Sequence, residues 1–138
     1  MKIGFTAGAF DLLHAGHVLM FEECSSLCDY LIVGLHIDPS TDRKNKNSPV
    51  QSVVERYIQL KGLKFIDEII PYQNESELRE LLKAINLNVR FVGEDWKGQH
   101  FTGKELAENG IKHKIIYNSR EHDYSSSTLR EKIVKKSL

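Results

Sequence analysis

Two histidines, His14 and His17, stand three residues apart in the stretch Gly8-Ala9-Phe10-Asp11-Leu12-Leu13-His14-Ala15-Gly16-His17. At the start of a helix that spacing puts both imidazoles on one side of the first turn. The chemistry it permits is the holding of a phosphoryl group. A helix N-terminus presents unpaired N–H groups and a positive partial charge, and two imidazole donors beside it add to both. Gly8 and Gly16 would let main chain approach a bulky ligand without a Cβ in the way. An isolated pair of histidines is as easily two surface residues; the apolar run and glycine turn before this one argue for a site.

Further candidate phosphate ligands lie far along the chain. Lys44 and Lys46 alternate in a polar, proline-punctuated stretch, so in an extended conformation they point the same way and could close over phosphates. Arg120 precedes the hydroxyl run Tyr124-Ser125-Ser126-Ser127 at the start of another expected helix. A hydroxyl-rich helix start supplies N–H and O–H donors, and the guanidinium adds a planar cationic fork suited to β- and γ-phosphates.

These residues need a scaffold that brings distant loops together. Strands are predicted over Ile3–Ala7, Tyr30–His36, Glu68–Pro71, Val89–Val92 and Lys114–Tyr117, each largely apolar, as strands buried on both faces are. Between and after them helices are predicted over Ala15–Leu27, Ser52–Leu63, Ser76–Ile85, Gly103–Asn109 and Ser126–Lys136. Strict strand–helix alternation predicts an α/β fold: a three-layer, Rossmann-like, doubly wound parallel sheet of five strands, in the order 3-2-1-4-5. Ligands in such folds sit beyond the carboxyl ends of the strands, where strand order reverses. Every segment of unusual composition falls at such an end.

A chain of 138 residues suits one domain, spanning 1–138, with one core and one site. The formal net charge is zero, which gives no electrostatic footprint for general nucleic-acid or anionic-membrane binding. No apolar run approaches the roughly 20 residues needed to span a bilayer, and the expectation is a cytoplasmic protein. Cys24 and Cys28 are expected to be packed side chains, and His100 and His113 surface residues.

The stretch from Gly8 to His17 resembles the G-x-F-D-x-x-H-x-G-H signature of the cytidylyltransferase-like nucleotidyltransferase superfamily. Asp29-Tyr30-Leu31-Ile32-Val33, Phe65-Ile66-Asp67-Glu68-Ile69-Ile70-Pro71 and Gly93-Glu94-Asp95-Trp96-Lys97-Gly98 extend the likeness, which is strongest to the glycerol-3-phosphate cytidylyltransferase branch. The last loop departs from that branch: it keeps Arg120 and the serines, but Ser125-Ser126-Ser127-Thr128-Leu129-Arg130 is also similar to the ending of related adenylyltransferases.

The resemblance implies transfer of CMP from CTP to a small phosphate ester, with glycerol 3-phosphate first among acceptors and phosphoethanolamine, phosphocholine or another polyol phosphate as alternatives. Adenylyl transfer, or a noncatalytic nucleotide-binding module, are the other readings. The implied catalytic residues are His14, His17, Lys46 and Arg120. Nucleotide binding falls to Thr6, Gly8, Ala9, Phe10, Gly16, Lys44, Gly93, Asp95, Trp96, Tyr124, Ser125, Ser126 and Ser127. Acceptor binding falls to Asp11, His36, Arg56 and Lys64. Mg²⁺ is implied as a companion of the triphosphate, with Asp11 the protein carboxylate nearest to it. A homodimer is implied through Phe65 to Pro71.

Overall fold

The computed structural model describes residues 1–43, 45–108, 113–119 and 126–137, with main chain alone at 108 and 126–128. Five strands form one parallel sheet: β1 (Ile3–Gly8), β2 (Tyr30–His36), β3 (Glu68–Tyr72), β4 (Val89–Gly93) and β5 (Lys114–Asn118). Helices α1 (Ala15–Ser26), α2 (Val53–Lys61), α3 (Glu75–Ala84) and α4 (Lys104–Glu108) connect them, and α5 (Ser126–Ser137) follows β5. The strand order is β3-β2-β1-β4-β5, as the alternation predicts. β1 is central, and its register with β2 runs from Ile3 opposite Tyr30 to Gly8 opposite Leu35.

Alternate residues of β2 separate two cores. Leu31, Val33 and Leu35 pack with Phe21 and Cys24 of α1 and Leu60 of α2, all fully buried. Ile32 points the other way, to Phe5 of β1, Leu78 and Leu82 of α3 and Leu106 of α4. Gly34 is needed between them: a Cβ there would sit 2.7 Å from the Phe5 ring. Cys24 is buried beside Asn118, and burial pushes its thiol up to about 12, leaving it unreactive near neutrality; Cys28 is half-buried.

Helix ends follow the sequence. Ser52 and Glu55 form a reciprocal capping box on α2, and Asn74 caps α3 by accepting from the Glu77 N–H at 2.9 Å. Among the described residues no helix is long and apolar enough to cross a membrane. His100 is exposed as expected, but His113 is not: it is 7% exposed, immediately before β5 and close enough to Arg90 to feel its charge. Its position immediately before an apolar strand was the signal for burial.

Candidate active site

The carboxyl ends of β1, β2 and β4 open onto two adjoining clefts that share Ala9, Pro39 and Lys46. The outer cleft, about 360 Å³, lies against the start of α1 and includes Phe10, Asp11, His17 and Arg130. The inner cleft, about 250 Å³, extends under β3, β4 and the loop after β4, and includes Thr6, Gly8, His36, Gly93 and Trp96.

The turn from β1 into α1 is unusual. Phe10 (φ 50°) and Leu12 (φ 52°) both adopt left-handed backbone, which costs a side-chain-bearing residue about 1 to 2 kcal/mol each. Packing and hydrogen bonds hold them there. The Phe10 ring is buried against Phe21, with centroids 5.1 Å apart, and meets His17 edge-on at 5.9 Å. The Leu12 N–H donates to Gln51 Oε1 at 2.9 Å. Asp11 is 8% exposed and accepts from the Val50 N–H (2.8 Å), the Gln51 N–H (2.9 Å) and Arg130 Nη2 (2.6 Å). One carboxylate thereby ties the β1 end to the chain entering α2 and to α5.

His14 is the N-cap of α1. Its Nδ1 accepts from the Gly16 N–H at 3.0 Å, while His17 Nδ1 accepts from the His14 N–H at 3.1 Å. The two rings lie 4.0 Å apart. This reciprocal cap uses imidazoles where Ser and Glu serve in most helices. It also fixes the tautomer: with each Nδ1 accepting, the ring hydrogen belongs on Nε2, so each imidazole can donate away from the helix. Gly16 is buried between them.

Other expected site residues divide sharply. His36 is 4% exposed, stacks on Tyr72 with centroids 4.6 Å apart, and lies 3.2 Å from Asp42 through Nε2. Trp96 carries Arg43 over its ring at 5.1 Å. Asp95 is exposed and lines neither cleft. Lys44, Arg120, Tyr124 and Ser125 lie outside the described residues, and Ser126 and Ser127 are described as the first residues of α5.

Arg56 and Lys64 correct the expected acceptor site. Arg56 is 1% exposed and donates to four main-chain carbonyls, those of Gln51, Ala9, His36 and Ile37. It braces the wall between the clefts instead of facing a ligand, and burial lowers its pKa. Lys64 is exposed over the Phe65 ring in the segment leading into β3, where Asp67 bonds the Leu31 N–H. That segment lies at the amino ends of the strands, so Lys64 is at the opposite end of the sheet from both clefts.

Residues that motif reading missed complete the inner cleft. Arg43 pairs with Glu75 at 3.0 Å, Glu75 also accepts from Thr102 Oγ1 at 2.8 Å, and Arg90 lines the floor. Arg90 did leave a signal: it is a charge inside the apolar run Val89–Val92. Glu75 and Thr102 left none.

A family model described as cytidylyltransferase-like matches residues 5–132. The chain belongs to that family. Its fold and family are those of a nucleotidyltransferase. It is 31% identical over 133 residues to glycerol-3-phosphate cytidylyltransferase of Bacillus subtilis, covering 96% of this chain and 98% of that protein. It is 36% identical over 137 residues to bifunctional protein HldE of Helicobacter hepaticus, covering 99% of this chain but only 28% of that longer protein. Among solved structures, a lipopolysaccharide core biosynthesis protein from Thermoplasma volcanium superposes with a TM-score of 0.73 at 28% identity, over 88% of this chain and 99% of that one.

Proposed function

We propose that the protein is a cytidylyltransferase, moving CMP from CTP to a small polyol or sugar phosphate and releasing pyrophosphate. The observation that carries this reading is the paired His14–His17 cap, with His17 lining the outer cleft, which shares Lys46 with the inner one. Two substrates can thus meet at one phosphoryl-binding point. An oxygen of the acceptor phosphate attacks the α-phosphorus, a new P–O bond forms, and the α–β bridge breaks with pyrophosphate as leaving group. A phosphate monoester is largely ionised at neutral pH, so no strong base is required. The Nε2–H donors of His14 and His17 and the Lys46 ammonium stabilise charge that develops on the α-phosphate and the leaving group.

The choice of CTP, and of glycerol 3-phosphate as first acceptor, is supported by the Bacillus subtilis relative, which this chain matches along nearly its whole length. The lipopolysaccharide-related neighbour supports keeping sugar phosphates in the same panel. A resident Mg²⁺ site does not fit the described residues. Both oxygens of Asp11 accept N–H groups and Arg130 lies beside them, a poor setting for a hard cation. His36, Asp42 and Glu75 have ligand atoms within 4.8 Å of one another, but an imidazole suits Mg²⁺ poorly and these groups are bonded to each other, Arg43 and Thr102. Mg²⁺ therefore enters the proposal only as a companion of the triphosphate.

The reading also includes a cytoplasmic homodimer. The edge position of β3 and the exposed Val54, Tyr57 and Ile58 on the neighbouring α2 support a second copy as partner, which sedimentation would test. For the activity itself, pyrophosphate release is measured with CTP, ATP, GTP and UTP against glycerol 3-phosphate, phosphoethanolamine, phosphocholine and hexose 1-phosphates. Turnover with CTP is expected; no release from any combination would overturn the assignment, and a preference for ATP would replace the nucleotide.

A further inference from the structure

Arg90 is a buried cation with few partners among the described residues. Its side chain is 6% exposed and lines the inner cleft. Its Nη1 donates to the Thr102 carbonyl and its plane lies over Phe101, 5.1 Å from the ring centre. Among the described residues it makes no other hydrogen bond and has no carboxylate within 4.0 Å. Glu75, the acid that acts on it at longer range, already has Oε1 on Arg43 and Oε2 on Thr102.

A guanidinium has five N–H donors, and a buried charge without a counter-ion is among the costliest groups a fold can hold. Structural burial of arginine looks different in this same molecule: Arg56, also buried, spends its donors on four carbonyls. Burial lowers the Arg90 pKa to about 10, which leaves it charged at neutral pH. Its other near neighbours, Tyr72, Tyr117 and His113, offer no negative charge there.

We infer that Arg90 is the anchor for an oxyanion at the far end of the acceptor, so that the acceptor carries a carboxylate or second phosphate besides the reacting phosphate. This rests on the nucleotidyltransferase reading and replaces glycerol 3-phosphate, which has no second anion, as its first acceptor. A planar fork on the cleft floor binds either oxyanion in a bidentate manner, and the anion supplies the charge that the fold leaves missing. Arg43, held over Trp96 at the same cleft, adds positive potential.

The test compares matched acceptors in the pyrophosphate-release assay: 3-phosphoglycerate against glycerol 3-phosphate, and glucose 1,6-bisphosphate against glucose 1-phosphate. The wild-type protein should favour one doubly anionic member by about 10- to 100-fold in kcat/KM, the scale of a charge-assisted pair. Which pair discriminates tells carboxylate from phosphate. In Arg90→Met the ratio should fall to near one through the acceptor KM, with far less change in the nucleotide KM. Arg90→Lys, which keeps the charge, should retain part of the ratio and covers the case in which the Met variant fails to fold. Equal or better use of both neutral-tailed acceptors by wild type, or an undiminished ratio in Arg90→Met, overturns the inference while leaving the transferase reading intact. If no triphosphate is turned over, that reading fails. Calorimetric titration of 3-phosphoglycerate and glucose 1,6-bisphosphate into wild type and Arg90→Met then decides the inference: binding of at least one that the variant loses supports it, and no such difference overturns it.

Discussion

One part of the outer cleft is local, with His14 and His17 capping one turn and Phe10 and Leu12 bending the chain just before it, while Lys46 and Arg130 arrive from far along the chain. The inner cleft has no such local logic. Its Arg43, Glu75, Arg90 and Thr102 come from β4 and from the segments that follow β2, β3 and β4, and meet only when the sheet has formed. A motif that organises its own main chain can bind phosphate on any chain with this turn, whereas a pocket assembled from three loops can be respecified by single substitutions. On the proposed function, this difference places reaction type at the outer cleft and acceptor choice at the inner one.

The largest expected effect tests that division directly. His17→Ala should lower turnover by about 100- to 1,000-fold, the roughly 3 to 4 kcal/mol that one transition-state donor supplies. Loss of the cap should cost only about 1 kcal/mol of stability by thermal melting. Unchanged turnover would remove the chemistry from the outer cleft. Arg56→Leu should act on both clefts at once, because it leaves four carbonyls without their donor. A loss of about 3 kcal/mol or more in urea unfolding is expected, and a variant as stable as wild type would end its role as brace.

Smaller effects sharpen the comparison. Lys46→Ala should raise the KM for nucleotide by about 10-fold with a lesser change in kcat, as befits a screened, exposed cation. Wild-type kinetics would return that loop to solvent. Asp11→Asn should cost about 1 to 2 kcal/mol of stability through the loosened Val50–Gln51 turn. Its Mg²⁺ titration midpoint should not move; a large shift would make Asp11 a metal ligand after all.

The smallest effect belongs to His113, next to β5. Burial, then Arg90, holds the His113 pKa below its ordinary 6.5. The unfolded chain therefore takes up the proton first as pH falls. Stability from this group is complete above about pH 6.5 and declines from there toward the lower folded value. His113→Leu should flatten that part of the urea-derived stability profile between pH 5 and 8, and an unchanged slope would assign it to other groups.

The architecture was legible because strand and helix periods differ and a strictly alternating pattern admits few topologies. Ten of the residues expected at the site, Thr6, Gly8, Ala9, Phe10, Asp11, His17, His36, Lys46, Gly93 and Trp96, do line the clefts. Arg56 and Lys64 were misplaced for a physical reason: a cation on a helix looks the same in sequence whether it reaches a ligand, a carbonyl cluster or solvent. Glu75 and Thr102 were invisible because their significance is a contact 27 residues long.

What the sequence alone determined is the order of elements and the meeting of His14 and His17 at one helix start, since both depend on local periodicity and on spacing within one turn. Tertiary structure decided which cations serve the fold and which face the cleft. Arg56 and Arg90 are both buried guanidiniums, and only the placement of backbone carbonyls around them separates a brace from an unmatched charge.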